Sequence, residues 1–145
     1  FEFSAGGIVY KKSQDQTKIL VSKHSAHHGW VFPKGLIGDK LEGEKKEETA
    51  IREVKEETGI DGEIEKALKP VTYWYVLEGE KIKKTVYYFI MKFVGGSTEE
   101  HDDEMEEVEW IDYNDVSKRL TYPSDKEAWE EAKELVNQLG VYSEE

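Results

Sequence analysis

Gly38 to Ile60 reads GDKLEGEKKEETAIREVKEETGI. Its spacing predicts a helix from about Lys45 to Thr58, ended by Gly59, a residue that tolerates positive φ. At about 100° per residue, Glu53, Glu56 and Glu57 share an arc of roughly 100°. Ala50, Ile51, Val54 and Thr58 occupy the adjoining arc and are expected to face a core. Carboxylates held along the rim of a buried face repel one another, by roughly a few tenths of a kcal/mol per spaced pair even in the open. A divalent cation among them reverses that sign, and oxygen ligands suit magnesium or manganese. The competing reading is a solvated acidic face, which is common in a chain that is 36% charged.

The wider spacing decides between them. Gly38, Glu44, Arg52, Glu53, Val54, Glu56, Glu57, Gly59 and Ile60 match the pattern G-x5-E-x7-R-E-U-x-E-E-x-G-U, with U an apolar residue. The chain therefore resembles the Nudix hydrolases. In most of that family the first glycine of the pattern belongs to a Phe-Pro-Lys-Gly run. Here that run is Phe32-Pro33-Lys34-Gly35, three residues before Gly38. Either glycine fills the slot; Gly35 is favoured, with three extra residues in the loop, because loops absorb short insertions.

The resemblance implies an α/β fold, the Nudix α/β/α sandwich with a mixed sheet, and hydrolysis of a pyrophosphate bond. It implies Mg2+ or Mn2+ held by Glu53, Glu56 and Glu57, with Glu44 and a backbone carbonyl of Gly35 or Gly38 as further candidates. It also implies that Arg52 orients a metal-binding glutamate and that Lys34 meets a phosphate. Arg52 lies four residues from both Glu48 and Glu56, so either can pair with it on the helix. Which carboxylate serves as general base stays open, since crowded carboxylates raise one another's pKa and metals lower them.

Upstream, residues 3–9 and 18–22 are strand candidates separated by a polar turn. Gly6-Gly7 interrupts the first and marks a bulge or a close backbone approach. Residues 24–29 form a loop with His24, His27 and His28 but no cysteine or clear fourth ligand, so contact with substrate is favoured over zinc. Downstream, residues 71–77 and 84–94 are aromatic and β-branched around Glu78-Gly79-Glu80-Lys81, which predicts a hairpin. One or two of Tyr73, Trp74, Tyr75, Tyr87 and Tyr88 are expected to touch a ligand.

Lys84-Thr85-Val86-Tyr87-Tyr88-Phe89 resembles a segment of the diadenosine tetraphosphate hydrolase branch, which implies a phosphate contact for Tyr88; a long polyphosphate also needs several cationic contacts, which Lys34 and Lys84 are expected to supply beside the metals. Glu104, six residues before Trp110, matches that branch's extra glutamate at the metal site; Asp103 and Glu106 are rivals. Residues 114–120 predict a short helix. Pro123 is expected to stop the chain, Ser124 to cap a final helix through about Leu139, and Gly140 to end it. Ala128, Trp129, Ala132, Leu135, Val136 and Leu139 form its apolar stripe.

The 145 residues suffice for one domain with a real core. The lack of cysteine makes a reducing cytoplasm the expected location. No stretch approaches the ~20 apolar residues of a membrane span. A net charge of -12 argues against nucleic acid or anionic membrane as partners of the general field, so a nucleotide-type substrate must be recruited by metal and local lysines. The sequence leaves the oligomeric state open. Rival readings are ADP-ribose or nucleotide-sugar hydrolysis, 5′-end RNA or inositol pyrophosphate hydrolysis, a nucleotide-sensing module without catalysis, and an acidic interaction protein without a metal.

Overall fold

The computed structural model describes residues 1–38 and 41–142. Eight strands form one mixed sheet: β1 (Glu2–Ser13), β2 (Gln16–His24), β3 (Trp30–Val31), β4 (Lys34–Leu36), β5 (Ile60–Ala67), β6 (Val71–Leu77), β7 (Glu80–Gly96) and β8 (Met105–Asp112). The helices are α1 (Lys46–Thr58), α2 (Val116–Arg119) and α3 (Pro123–Tyr142). The main strand order is β3-β2-β1-β7-β5, with β4 beside β1, β6 beside β7 and β8 beside β2. Only β1 and β7 pair in parallel; the other ladders are antiparallel.

Helices cover both faces, as the α/β/α expectation requires. On one face Ala50 and Val54 of α1 pack with Ala5, Val9, Leu20 and Met91. On the other, Ala128, Trp129, Ala132 and Val136 of α3 pack with Ile8, Val21, Tyr88 and Ile90. Gly7 permits the first contact, because a Cβ there would lie 2.8 Å from both Val54 Cγ2 and Met91 Sδ.

Several local expectations need correction. The first hairpin turns on Gln14 and Asp15, both at positive φ, so β1 runs four residues beyond Val9. Ile51 is exposed, since it lies on the outer side of the arc whose centre is Ala50 and Val54. Pro123 starts the last helix instead of stopping the chain. Its fixed φ and missing N–H suit a first helical position, and Lys126 N–H already donates to Tyr122 O. Gly140 lies within α3, which continues to Tyr142.

Candidate active site

The site is built on β4 and the last two turns of α1. Glu48 accepts from Lys45 N–H and closes the start of the helix. At the other end Gly59 adopts φ 78° and donates to Lys55 O. The helix between these caps carries Glu53 and Glu57, both buried despite their charge.

Each buried carboxylate meets the β4 segment. Glu53 lies against Gly35, where a Cβ would stand 1.8 Å from Glu53 Oε2. Glu57 Oε1 accepts from Lys34 N–H at 3.3 Å. The preceding residue is held as well: Pro33 O accepts from Gly7 N–H at 3.1 Å. Burial, more than any neighbour, pushes the Glu57 carboxyl well above its usual range, and the nearby charges of Glu53 and Glu104 push the same way.

Arg52 organises the helix's outer acids. Its Nε and Nη2 donate to the two oxygens of Glu44 at 2.7 and 2.8 Å, and Nη1 donates to Glu56 Oε1 at 2.7 Å. Nη1 also lies 3.5 Å from Glu53 Oε2. Glu48 is therefore not its partner, because that carboxylate is used at the helix start. The Glu44 side chain is only 2% exposed and accepts from Thr49 Oγ1 too. Hydrogen bonds from Arg52 hold its carboxyl down at about 2. Both Glu44 oxygens are thus engaged by protein donors, and Glu56 faces Arg52 instead of the cavity lining.

Glu53, Glu57 and Glu104 line one cavity of about 330 Å³, together with Gly35, Lys34 and Lys84. Glu104 arrives from the loop before β8. Its carbonyl accepts from Ser25 N–H and Ser25 Oγ, both at 2.9 Å, and its N–H donates to Asp102 Oδ1. The backbone is pinned while the exposed carboxylate faces the cavity. Among the described residues, no three acid or imidazole groups already stand at coordinating distance from one point. The donor set still fits a hard cation: two buried carboxylates and a third at the rim, with one carboxyl's affinity for a proton raised by burial and by its neighbours.

A second cavity of about 570 Å³ continues from the first, sharing His27, Val31, Lys34 and Lys84 and adding Tyr73, Trp74, Tyr75, Tyr122 and Asp125. Lys84 is lowered from its usual pKa first by burial and then by the Lys34 charge. His27 Nδ1 is 2.8 Å from Tyr122 Oη and accepts from Gly29 N–H at 3.0 Å. Tyr88 does not reach this cleft. It is 1% exposed, packed edge-on to Phe32, and its hydroxyl meets Asp125 Oδ1 at 3.4 Å. The expected phosphate contact is corrected by packing: Lys84 lies on the same side of β7 and reaches the cleft, while Tyr88, two turns of the pleat further on, is covered by Phe32 and the α3 side chains Asp125 and Trp129. The sequence does not mark Asp125, because a lone aspartate near a helix start carries no signal of burial.

The NUDIX domain model matches residues 3–139. MutT4 of Mycobacterium tuberculosis is 42% identical over 144 residues, covering 95% of this chain and 57% of that protein. The 8-oxo-(d)GTP phosphatase of Mycolicibacterium smegmatis is 26% identical over 132 residues, covering 85% of this chain and 38% of that protein. The chain thus spans little more than half, or less, of these curated relatives. Among solved structures, the Ap4A hydrolase binary complex of Caenorhabditis elegans superposes with a TM-score of 0.72 at 24% identity, covering 95% of this chain and 99% of that one. With its motif on the helix that carries Glu53 and Glu57, and the family match across almost its whole length, the chain belongs to the Nudix family.

Proposed function

We propose that this chain is a divalent-metal-dependent pyrophosphohydrolase of nucleoside diphosphate-linked compounds, with dinucleoside polyphosphates such as diadenosine tetraphosphate as its substrates. One observation carries the reading: an acidic cavity, two lysines and a tyrosine-lined cleft form one continuous depression. That order fits reacting phosphates, a bridging polyphosphate and a base.

Glu53, Glu57 and Glu104, with the Gly35 carbonyl, would hold Mg2+ or Mn2+, which neutralises phosphate charge and makes bound water more acidic. Glu56 stays a candidate ligand through a change of its Arg52 pairing. Arg52 and Glu44 fix the outer side of the helix so that Glu53 keeps its place over Gly35. Lys34 and Lys84 bind phosphate oxygens through charge-assisted hydrogen bonds. Tyr73, Tyr75 and Tyr122 offer aromatic faces to a base, and stacking of this kind is worth roughly 1–3 kcal/mol per base. Glu104 is the proposed general base, because its backbone is anchored while its carboxylate is turned to the cavity without a protein donor among the described residues.

The test is a panel of diadenosine tetraphosphate, ADP-ribose, 8-oxo-dGTP and 5′-triphosphate RNA with Mg2+ or Mn2+, run in labelled water. The expected outcome is asymmetric cleavage of the tetraphosphate to a mononucleotide and a nucleoside triphosphate. Glu104→Gln is expected to lower kcat by ~10²–10⁴. Symmetric cleavage, or much faster turnover of another member of the panel, would overturn the substrate assignment. The 8-oxo-dGTP arm is included because of the phosphatase relative from M. smegmatis.

A further inference from the structure

We propose that the uncovered part of the α1-side sheet face binds single-stranded nucleic acid. Phe3 pairs with Thr85, which pairs with Thr72; Lys83 pairs with Trp74, and Lys81 with Val76. Paired residues share a face, and side chains alternate along each strand. Phe3, Thr85, Lys83, Lys81, Trp74 and Val76 therefore point to the same side as Ala5, which packs against α1.

Helix α1 covers β1, β4 and β5 on that side but does not extend over β6. Trp74 is left 61% exposed and Val76 66%. At the other end of this surface, Phe3, Ile37 and Tyr87 line a hollow of about 530 Å³ with Lys45, Lys46 and one acid, Glu47. Lys46 Nζ lies 5.6 Å from the centre of the Tyr87 ring. The surface thus runs from Lys46 and Tyr87 to Trp74 and Lys81.

Two properties select the occupant. Exposed apolar side chains contiguous on one face mark an interaction surface. Here they alternate with cations: Lys45, Lys46, Lys81 and Lys83 make no ion pair among the described residues. Four such lysines on one face stand out in a chain of net charge -12. A second copy of this chain, brought face to face, would set lysine against lysine. A single-stranded nucleic acid supplies what both features need, flat bases for the aromatic rings and phosphates for the lysines. At about 0.1 M salt, charges beyond ~10 Å are largely screened, so acids farther away do not cancel the local field, in which four lysines outweigh Glu47.

This inference does not rest on the hydrolase reading, and its test avoids the catalytic site. Fluorescent 12-residue oligonucleotides with 5′-hydroxyl ends, one RNA and one DNA, are titrated with the whole chain by anisotropy between 50 and 200 mM salt. Binding is expected to weaken with a log–log salt slope of about -2.8 for four phosphate contacts. Lys81→Glu with Lys83→Glu should reduce affinity at least tenfold and roughly halve the slope. Trp74→Ala should reduce affinity fivefold or more. Both variants should keep native circular dichroism, and the double lysine variant should keep unchanged turnover of whichever nucleotide the wild type hydrolyses. Binding of either polymer supports the proposal, and the tighter one identifies the sugar preferred. No binding at 50 mM salt, equal binding of a duplex, equal competition by polyglutamate, or indifference to both variants would overturn it.

Discussion

Gly35 and Glu53 are so close that no side chain fits between them: a Cβ on Gly35 would lie 1.8 Å from Glu53 Oε2 and 2.1 Å from Cδ. Gly38 is different. It needs glycine for its φ of +77°, but among the described residues a Cβ there meets only Leu41 O, at 3.8 Å. Gly35→Ala is therefore expected to displace the Glu53 carboxylate and lower kcat by about 10²-fold, the scale of a misplacement near 1 Å. Gly38→Ala should cost ~1–2 kcal/mol of stability through its left-handed backbone and leave turnover near native. Steady-state kinetics and thermal melts on both variants decide; equal activity loss at the two positions would defeat this assignment.

Arg52 bridges Glu44, Glu56 and Glu53, and the Glu44 side chain is nearly covered while Arg52 is in place. Arg52→Ala is expected to cost ~1–3 kcal/mol, because it removes the charged donors from Glu44 and leaves only Thr49. Arg52→Lys should restore only part of this, since an ammonium cannot reproduce the two-pronged contact. The pH dependence has a definite sign. The folded pKa of Glu44, about 2, lies below its ordinary 4.5. Its contribution is then present above pH 4.5 and lost as pH falls toward 2. Urea unfolding of wild type and Glu44→Gln should differ most near pH 7 and converge near pH 2. A difference independent of pH would show that the Glu44 charge is not what stabilises.

Glu57 carries the opposite shift. Its carboxyl is raised by burial, so the folded protein holds a proton more tightly there than the unfolded chain does. Stability from this group is full below the unfolded pKa and falls as pH rises toward the folded one. In metal-free protein, Glu57→Gln should raise Tm at pH 7–8, while Gln keeps an oxygen for Lys34 N–H. The same substitution should cost at least roughly 10²-fold in turnover and abolish stabilisation by Mg2+ or Mn2+. Melts with and without EDTA, beside kinetics, test both halves. Activity near native at saturating metal would remove Glu57 from the site.

The parts that were legible in the sequence are those where a short pattern carries its own physics. The α1 boundaries follow from the acid-rich helix and from Gly59, and the β6–β7 hairpin from alternating aromatics around Glu78-Gly79. What was not legible depended on partners distant in the chain. Arg52 had two acids at helical spacing, yet Glu48 is taken by Lys45 N–H and Glu44 folds back from outside the helix. Tyr88 sits in a segment resembling one with a phosphate-binding tyrosine, but Phe32 and α3 cover it while Lys84, on the same side of β7, stays at the cleft. Pro123 ends one run and begins the next, and only the following helix shows which matters. The first turn falls inside its polar stretch, but β1 reads too short because Gln14-Asp15 lacks the glycine that advertises a tight turn.

Asp125 ties the two helical layers to one segment. It is 1% exposed and its Oδ1 accepts from Phe32 N–H at 3.1 Å, while Glu57 from the opposite layer accepts from Lys34 N–H. Two carboxylates from α3 and α1 thus clamp the Phe32-Pro33-Lys34 backbone on either side of its proline. Removing the acceptor in Asp125→Ala leaves buried donors on Phe32 and Tyr88, each costing ~1–3 kcal/mol when unsatisfied. Asp125→Asn keeps an oxygen at the same place and should recover most of that stability. Because Lys34 follows two residues after Phe32, loosening this clamp should raise KM for an anionic substrate more than it lowers kcat. The Asn variant should restore KM along with Tm. If Asp125→Ala unfolds, the Asn variant still tests the point: a native Tm with an elevated KM would mean that the charge, and not the hydrogen bond to Phe32, is what positions Lys34.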